Sequence, residues 1–202
     1  MAVALLKEPP LSPDSDLGPY RRQDYEALPD EPRCELIYGR FYLSPSPSRL
    51  HQIVVTVLLR LLDDIAMETG GSAYVAPLDV NLADHSVVQP DVFYVSEARR
   101  EILQERVEGA PDLAAEVLSP GTARHDRVQK LSLYAESDVR EYWIVDPLER
   151  QIEFLVNEGG RYVVEVPAGP EYRSRVLPEI HLDLPAFWKG VERRLRRQAP
   201  RT

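Results

Sequence analysis

Val87-Val88-Gln89-Pro90-Asp91-Val92-Phe93-Tyr94-Val95 and, after an excursion over residues 96–111, Asp112-Leu113-Ala114-Ala115-Glu116-Val117-Leu118-Ser119 decide how this chain folds. Both stretches are apolar at nearly every position, the pattern of strands buried on both faces. Each embeds a carboxylate in its apolar run, Asp91 in the first and Glu116 in the second. A charge inside such a strand must meet a metal, a cation or a functional cavity, because an isolated ionised group is too costly in an apolar interior. Two such strands side by side make a carboxylate pair. Paired hard oxygens suit Mg²⁺ or Mn²⁺, which bind one or two carboxylates, keep several waters and leave room for phosphate oxygens.

Spacing selects the pair. Asp112 and Glu116 stand on one strand face, but four residues separate them, roughly 13 Å at about 3.3 Å per residue, too far to share one ion. Asp91 and Glu116 lie on different strands, and neighbouring strands run about 4.8 Å apart. They are the expected ligands.

Lysine usage adds a third candidate. Of 24 basic residues only Lys7, Lys130 and Lys189 are lysines, and the outer two fall in expected tails. Lys130 is thus the lysine of the folded body. A compact ammonium, unlike the planar guanidinium used elsewhere, suits holding or activating a water; drift on a solvated helix face is the alternative.

Pro90-Asp91 followed by Glu116-Val117-Leu118 resembles the PD-(D/E)XK nuclease superfamily, whose signature is Asp on one strand and Glu-x-Lys on the next. The longer text is similar to a family of uncharacterised bacterial proteins described as restriction endonucleases. It runs from CELIYGRFYL (34–43) through VVQPDVFYV (87–95), EGAPDLAAEVLSP (108–120), D-x-x-x-K-x-x-x-Y (126–134) and EYWIVDP (141–147). The likeness covers about residues 20–166. One departure stands out: the strand slot for the lysine holds Leu118, and the resemblance implies that the lysine has moved to the following helix, where Lys130 matches it. It further implies an α/β fold with a restriction-endonuclease-like mixed central sheet flanked by helices. Asp91, Glu116 and the Val117 backbone carbonyl would hold Mg²⁺ (or Mn²⁺), with Lys130 catalytic and DNA the substrate. A homodimer follows from cutting both strands of a duplex. A noncatalytic interaction module, with the three charges as a buried ion cluster, is the alternative from another class.

The bulk of the chain is compatible with this. At 202 residues with 44% hydrophobic content it is one ordinary domain that buries a core without staples. A single cysteine, Cys34, excludes a disulfide framework and a cysteine-based zinc site and fits a reducing cytoplasm. No signal peptide or membrane span is read, and no organic-cofactor motif. The net charge of −9 opposes nonspecific coating of nucleic acid. Six bases against one acid in residues 189–201 leave 18 bases against 32 acids elsewhere, so that tail could add phosphate affinity or merely solubilise.

Residues 1–19, rich in proline, read as a flexible N-terminal arm, 20–188 as the domain and 189–202 as a basic C-terminal tail. A short helix over 22–28 precedes a hairpin turning at Tyr38-Gly39. The clearest helix spans about 48–68, with Val55, Leu58, Leu62 and Ile65 on one face. His51 lies on that line, and the resemblance makes it and Glu35 second-rank site candidates beside Gln89 and Asp79. Residues 72–82 form a strand, bent or bulged at Pro77, pairing antiparallel with the Asp91 strand across the turn at 84–86. A helix from Thr122 to Ser137 aligns Asp126, Lys130 and Tyr134 at intervals of four. The Glu116 and Trp143 strands around it are expected to be parallel neighbours, and residues 151–156 and 161–166 a further hairpin.

Overall fold

The computed structural model describes residues 17–29, 31–44, 46–119 and 125–197, and of 125–128 the backbone alone. Its centre is a six-stranded mixed sheet built from β3 (Ser72–Val75), β6 (Val92–Val95), β8 (Leu113–Val117), β9 (Glu141–Asp146), β10 (Gln151–Asn157) and β11 (Tyr162–Glu165). The strand order is β11-β10-β9-β8-β6-β3. The β8–β9 pair is parallel, Glu116 beside Ile144, and the other neighbours are antiparallel. The short expected helix is α1 (Arg22–Glu26), and the crossover between β8 and β9 carries helix α3 (His125–Glu136), as a parallel connection requires. The expected helix start at Thr122 lies outside the described residues.

Alternation along the strands sorts the sheet's two faces. Val92, Tyr94, Leu113, Ala115, Val117, Trp143 and Val145 pack under helix α2 (Arg49–Thr69) and helix α4 (Leu184–Arg197). Phe93, Val95, Ala114, Tyr142 and Ile144 face the other way, against Leu133 and Tyr134 of α3. Helix α2 begins at Ser48, whose Oγ accepts from the His51 N–H, and ends at Gly70 in a left-handed conformation (φ 79°). Both are ordinary helix-end devices. Its Leu58 and Leu62 are fully buried, each contributing roughly 1.5–3 kcal/mol gross of apolar burial.

A second sheet, not expected from the sequence, lies on the α3 side. It joins β1 (Cys34–Ile37), β2 (Arg40–Leu43), β4 (Val80–Ala83), β5 (Ser86–Val88) and β7 (Val107–Glu108) in the order β2-β1-β5-β4-β7. Ile37, Val80 and Val88 share a core with Phe93 and Tyr134. The expected hairpin of 72–82 with 87–95 is present but broken in both arms. β3 pairs with β6 in the central sheet, whereas β4 pairs with β5 in the second. Pro77 and Pro90 sit at the two breaks, where a residue without an N–H cannot carry the ladder onward. Gln89-Pro90-Asp91 is consequently the stretch that steps from one sheet to the other.

Two expected boundaries fall inside ordered structure. Gly18 donates its N–H to the Tyr38 carbonyl at 2.7 Å, and a Cβ on Gly18 would stand 2.2 Å from the Gly39 oxygen, so the last residues of the expected arm lie on the β1–β2 turn. α4 runs through the 188/189 boundary because Phe187 and Val191 are buried and Leu195 continues the same stripe towards α2. No helix among the described residues is long and apolar enough to cross a membrane.

Candidate active site

The β6–β8 register sets Val92 opposite Ala115, and one step outward brings Asp91 beside Glu116. Odd positions on β6 and even positions on β8 turn towards α3 and the second sheet, so period two aims both carboxylates at the same cavity. Asp91 reaches across: its Oδ2 accepts from the Val117 N–H at 2.8 Å. The same oxygen lies 3.1 Å from His51 Nε2. His51 Nδ1 is buried with no partner among the described residues, so the proton that meets Asp91 is on Nε2.

Glu116 meets α3. Its Oε1 accepts from Lys130 Nζ at 2.9 Å and from the Tyr134 hydroxyl at 2.7 Å. Positions 130 and 134 are one helical turn apart, which stacks the two donors over one carboxylate. Lys130 Nζ also lies 2.9 Å from Glu35 Oε2, and Glu35 Oε1 accepts from the Gln89 N–H at 2.7 Å. The ammonium therefore bridges the two sheets, with Glu116 from one and Glu35 from the other. Side-chain exposure is 9% for Lys130 and Glu35 and 14% for Glu116, low enough for these contacts to act in a poorly screened environment.

The charges do not balance. Asp91, Glu116 and Glu35 share the cavity with one buried ammonium, Lys130, and the half-exposed Arg33, and the Glu116 carboxyl is pushed up to about 7 by burial, opposed by Lys130 and reinforced by the Asp91 and Glu35 charges. Burial works against the Lys130 charge, but Glu116 and Glu35 outweigh it and hold its pKa well above the ordinary lysine value. Burial, then the Glu116 charge, raises the Tyr134 phenol, which stays protonated as a donor. A further cation would relieve this surplus. No three His, Cys, Asp or Glu among the described residues form a cage for one. Two carboxylates, each with only one oxygen engaged in a hydrogen bond among the described residues, instead match the way Mg²⁺ binds: few protein ligands and several waters. The cavity in front of them is about 380 Å³ and is also lined by Val117, Gln89 and His51.

The remaining expected residues separate. Asp79 is not on the carboxylate pair; it accepts from Tyr25 OH at 2.8 Å and from Gln89 Nε2 at 2.9 Å, and lies 3.3 Å from Arg106. The Asp126 side chain lies outside the described residues. Asp112, fully buried, accepts from the Ser96 N–H at 2.7 Å and pairs with Arg140 at 3.2 Å, a structural role away from the cavity. Arg33, unnoticed in the sequence, also lines the cavity; its signal was its place two residues before Glu35, where strand alternation gives both the same face.

Residues 22–185 match the model of the family Uma2, described as "Putative restriction endonuclease". A crystal structure described as "a putative nuclease belonging to DUF820" from Anabaena variabilis superposes with a TM-score of 0.72. It covers 86% of this chain and 99% of its own, at 18% identity, a likeness of fold. No curated protein matches.

Proposed function

The chain belongs to the Uma2 family, and from that premise we propose that it is a metal-dependent endonuclease that hydrolyses phosphodiester bonds in DNA. The observation that carries the reading is Asp91 and Glu116 opposed on adjacent strands with Lys130 Nζ 2.9 Å from Glu116. Asp91, Glu116 and the Val117 carbonyl would hold Mg²⁺ or Mn²⁺. When bound, the ion supplies polarisation of the scissile phosphate and a bound water of lowered pKa.

The chain's own residues do the rest. Two of the three ammonium protons of Lys130 are directed at Glu116 and Glu35, which leaves the third for a water or a phosphate oxygen where negative charge develops. Tyr134 holds the Glu116 carboxylate by Oε1 and leaves Oε2 to the cavity. His51 and the Val117 N–H hold Asp91 by Oδ2 in the same manner. Cutting both strands of a duplex calls for two such sites, and a two-fold homodimer provides them.

The test is cleavage of supercoiled plasmid and of labelled single- and double-stranded oligonucleotides with Mg²⁺ or Mn²⁺. Nicking by the wild type that disappears in Asp91→Asn, Glu116→Gln and EDTA supports the reading. Activity that survives both substitutions overturns it.

A further inference from the structure

A second cavity of about 370 Å³ adjoins the first and shares with it Glu31, Pro32, Arg33 and Gln89. Leu28, Pro29 and Pro77 give it apolar walls. Its polar floor is a network centred on Asp79, which receives the Tyr25 hydroxyl, the Gln89 amide and, at 3.3 Å, the Arg106 guanidinium. Pockets of about 300–1,000 Å³ hold small ligands, and this one sets those apolar side chains against five charged ones, Glu26, Glu31, Arg33, Asp79 and Arg106.

The network fixes what the cavity offers. Gln89 Nε2 donates to Asp79 Oδ1 at 2.9 Å, with the Tyr25 oxygen at 3.3 Å on the same side of the nitrogen, and the carboxylate acceptor fixes which end of the amide faces it. The Oε1 carbonyl is thereby oriented, and it receives no donor among the described residues. It is an acceptor held at the boundary of the two cavities, two residues from Asp91. Arg33 stands at the same boundary with its side chain 48% exposed and Glu31 only a distant partner at 3.9 Å, so its guanidinium is available to a phosphate. The part lined by Glu26 and Asp79, with Arg106 between them, disfavours a second phosphate and suits a neutral ring with a hydrogen-bond donor.

We propose that this cavity is a subsite for the nucleotide next to the scissile phosphate: the base enters between the apolar walls and donates to Gln89 Oε1, while its phosphate meets Arg33. The ligand class rests on the nuclease reading, and the subsite deepens it. A base inserted into this cleft has left its stack, so the substrate is single-stranded DNA or a duplex opened at that nucleotide. An acidic protein with a concave site accords with this better than with a surface that wraps intact duplex.

The test needs no cleavage. The full chain in EDTA is titrated with 2′-deoxyadenosine 5′-monophosphate and with 2-deoxyribose 5-phosphate, which lacks the base, by NMR or calorimetry. The nucleotide binds at least about tenfold more tightly, the scale of a hydrogen bond and some apolar contact. Gln89→Leu, which removes the acceptor, and Leu28→Trp, which fills the cavity from a different segment, each close that gap, with circular dichroism showing that both variants keep the fold. Equal binding of the two probes by the wild type, or a gap that survives both substitutions, overturns the subsite. A gap in a protein that cuts no DNA upholds the subsite while removing the nuclease reading; metal-dependent cutting without a gap does the reverse.

Discussion

Lys130 Nζ lies 2.9 Å from Glu116 Oε1 although the two residues are fourteen positions apart, one on a helix and one on the strand before it. A lysine on the strand would have occupied position 118, and Leu118 there packs into the apolar core shared by Tyr142 and Leu133. The long side chain of a helical lysine delivers its charge to the carboxylate from above the sheet, and the vacated strand slot serves packing.

Lys130→Ala should therefore lower turnover on a cleavable oligonucleotide by orders of magnitude while barely changing Mn²⁺ affinity. Lys130→Arg should also be impaired, since a planar fork does not replace a point charge shared between two carboxylates. Leu118→Lys combined with Lys130→Ala should recover part of the activity. Single-turnover rates beside calorimetric metal affinities decide it; a fully active Lys130→Ala protein excludes the role.

Glu35→Gln leaves Lys130 with one carboxylate instead of two. Turnover should fall at least about tenfold, with Mn²⁺ affinity unchanged or slightly altered, because the ammonium loses the contact that fixes its position. Glu35→Asp, one methylene shorter, should fall between. Equal kcat for wild type and Glu35→Gln would show that Glu116 alone positions the lysine.

Asp91→Ala and Glu116→Ala should each abolish Mn²⁺ binding at this site and keep the fold, since each removes one charge from a set of three carboxylates that repel one another. Calorimetry with circular dichroism checks both halves. Undiminished Mn²⁺ affinity in the two variants removes the metal site.

Glu116 should make the metal-free protein lose stability as the solution becomes alkaline. A carboxyl whose folded pKa is about 7 against 4.5 ordinarily binds its proton more tightly in the native state. Its contribution is complete below about 4.5 and is lost as pH rises through 7, with a slope of at most about 1.4 kcal/mol per pH unit for one proton. Urea midpoints in EDTA between pH 5 and pH 8 should fall with pH, and Glu116→Gln should flatten that part of the curve. A wild-type midpoint that rises with pH over the same range contradicts the assignment.

A homodimer is expected of the active species, and light scattering with and without oligonucleotide tests it. A mass of about 23.0 kDa under all conditions would assign single-strand nicking instead.

The parts of this architecture that were legible from residues alone are those governed by short-range periodicity. Two apolar runs with one embedded acid each placed Asp91 and Glu116 on neighbouring strands, and a four-residue interval aligned Lys130 with Tyr134. The crossover from Glu116 to Trp143 followed from strand, helix and strand in sequence. What escaped depends on contacts distant in sequence. Pro77 announced a bend but Pro90 was read inside one continuous strand, and nothing local says that the two halves of one hairpin join different sheets. Glu35 was visible only as a candidate, because its partner Lys130 lies on an element that approaches through the second sheet. In α4 the signal was present in Phe187, Val191 and Leu195 at intervals of four, but five bases among residues 189–197 made the segment read as a tail. Those bases ride on the outer side of a packed helix.

The step of Gln89-Pro90-Asp91 between sheets has a bearing on the newly synthesised chain. Asp91 emerges from the ribosome well before Glu116, and Lys130 later still: Asp91 meets His51 and Val117 without α3, whereas Glu116 meets Lys130 and Tyr134 only when α3 has settled over both sheets. A chain stalled at residue 120 holds Glu35, Asp91 and Glu116 without Lys130, and one whose second sheet has not docked holds that lysine without Glu35. The full charge cluster thus exists only where β6, β8, α3 and the second sheet have come together.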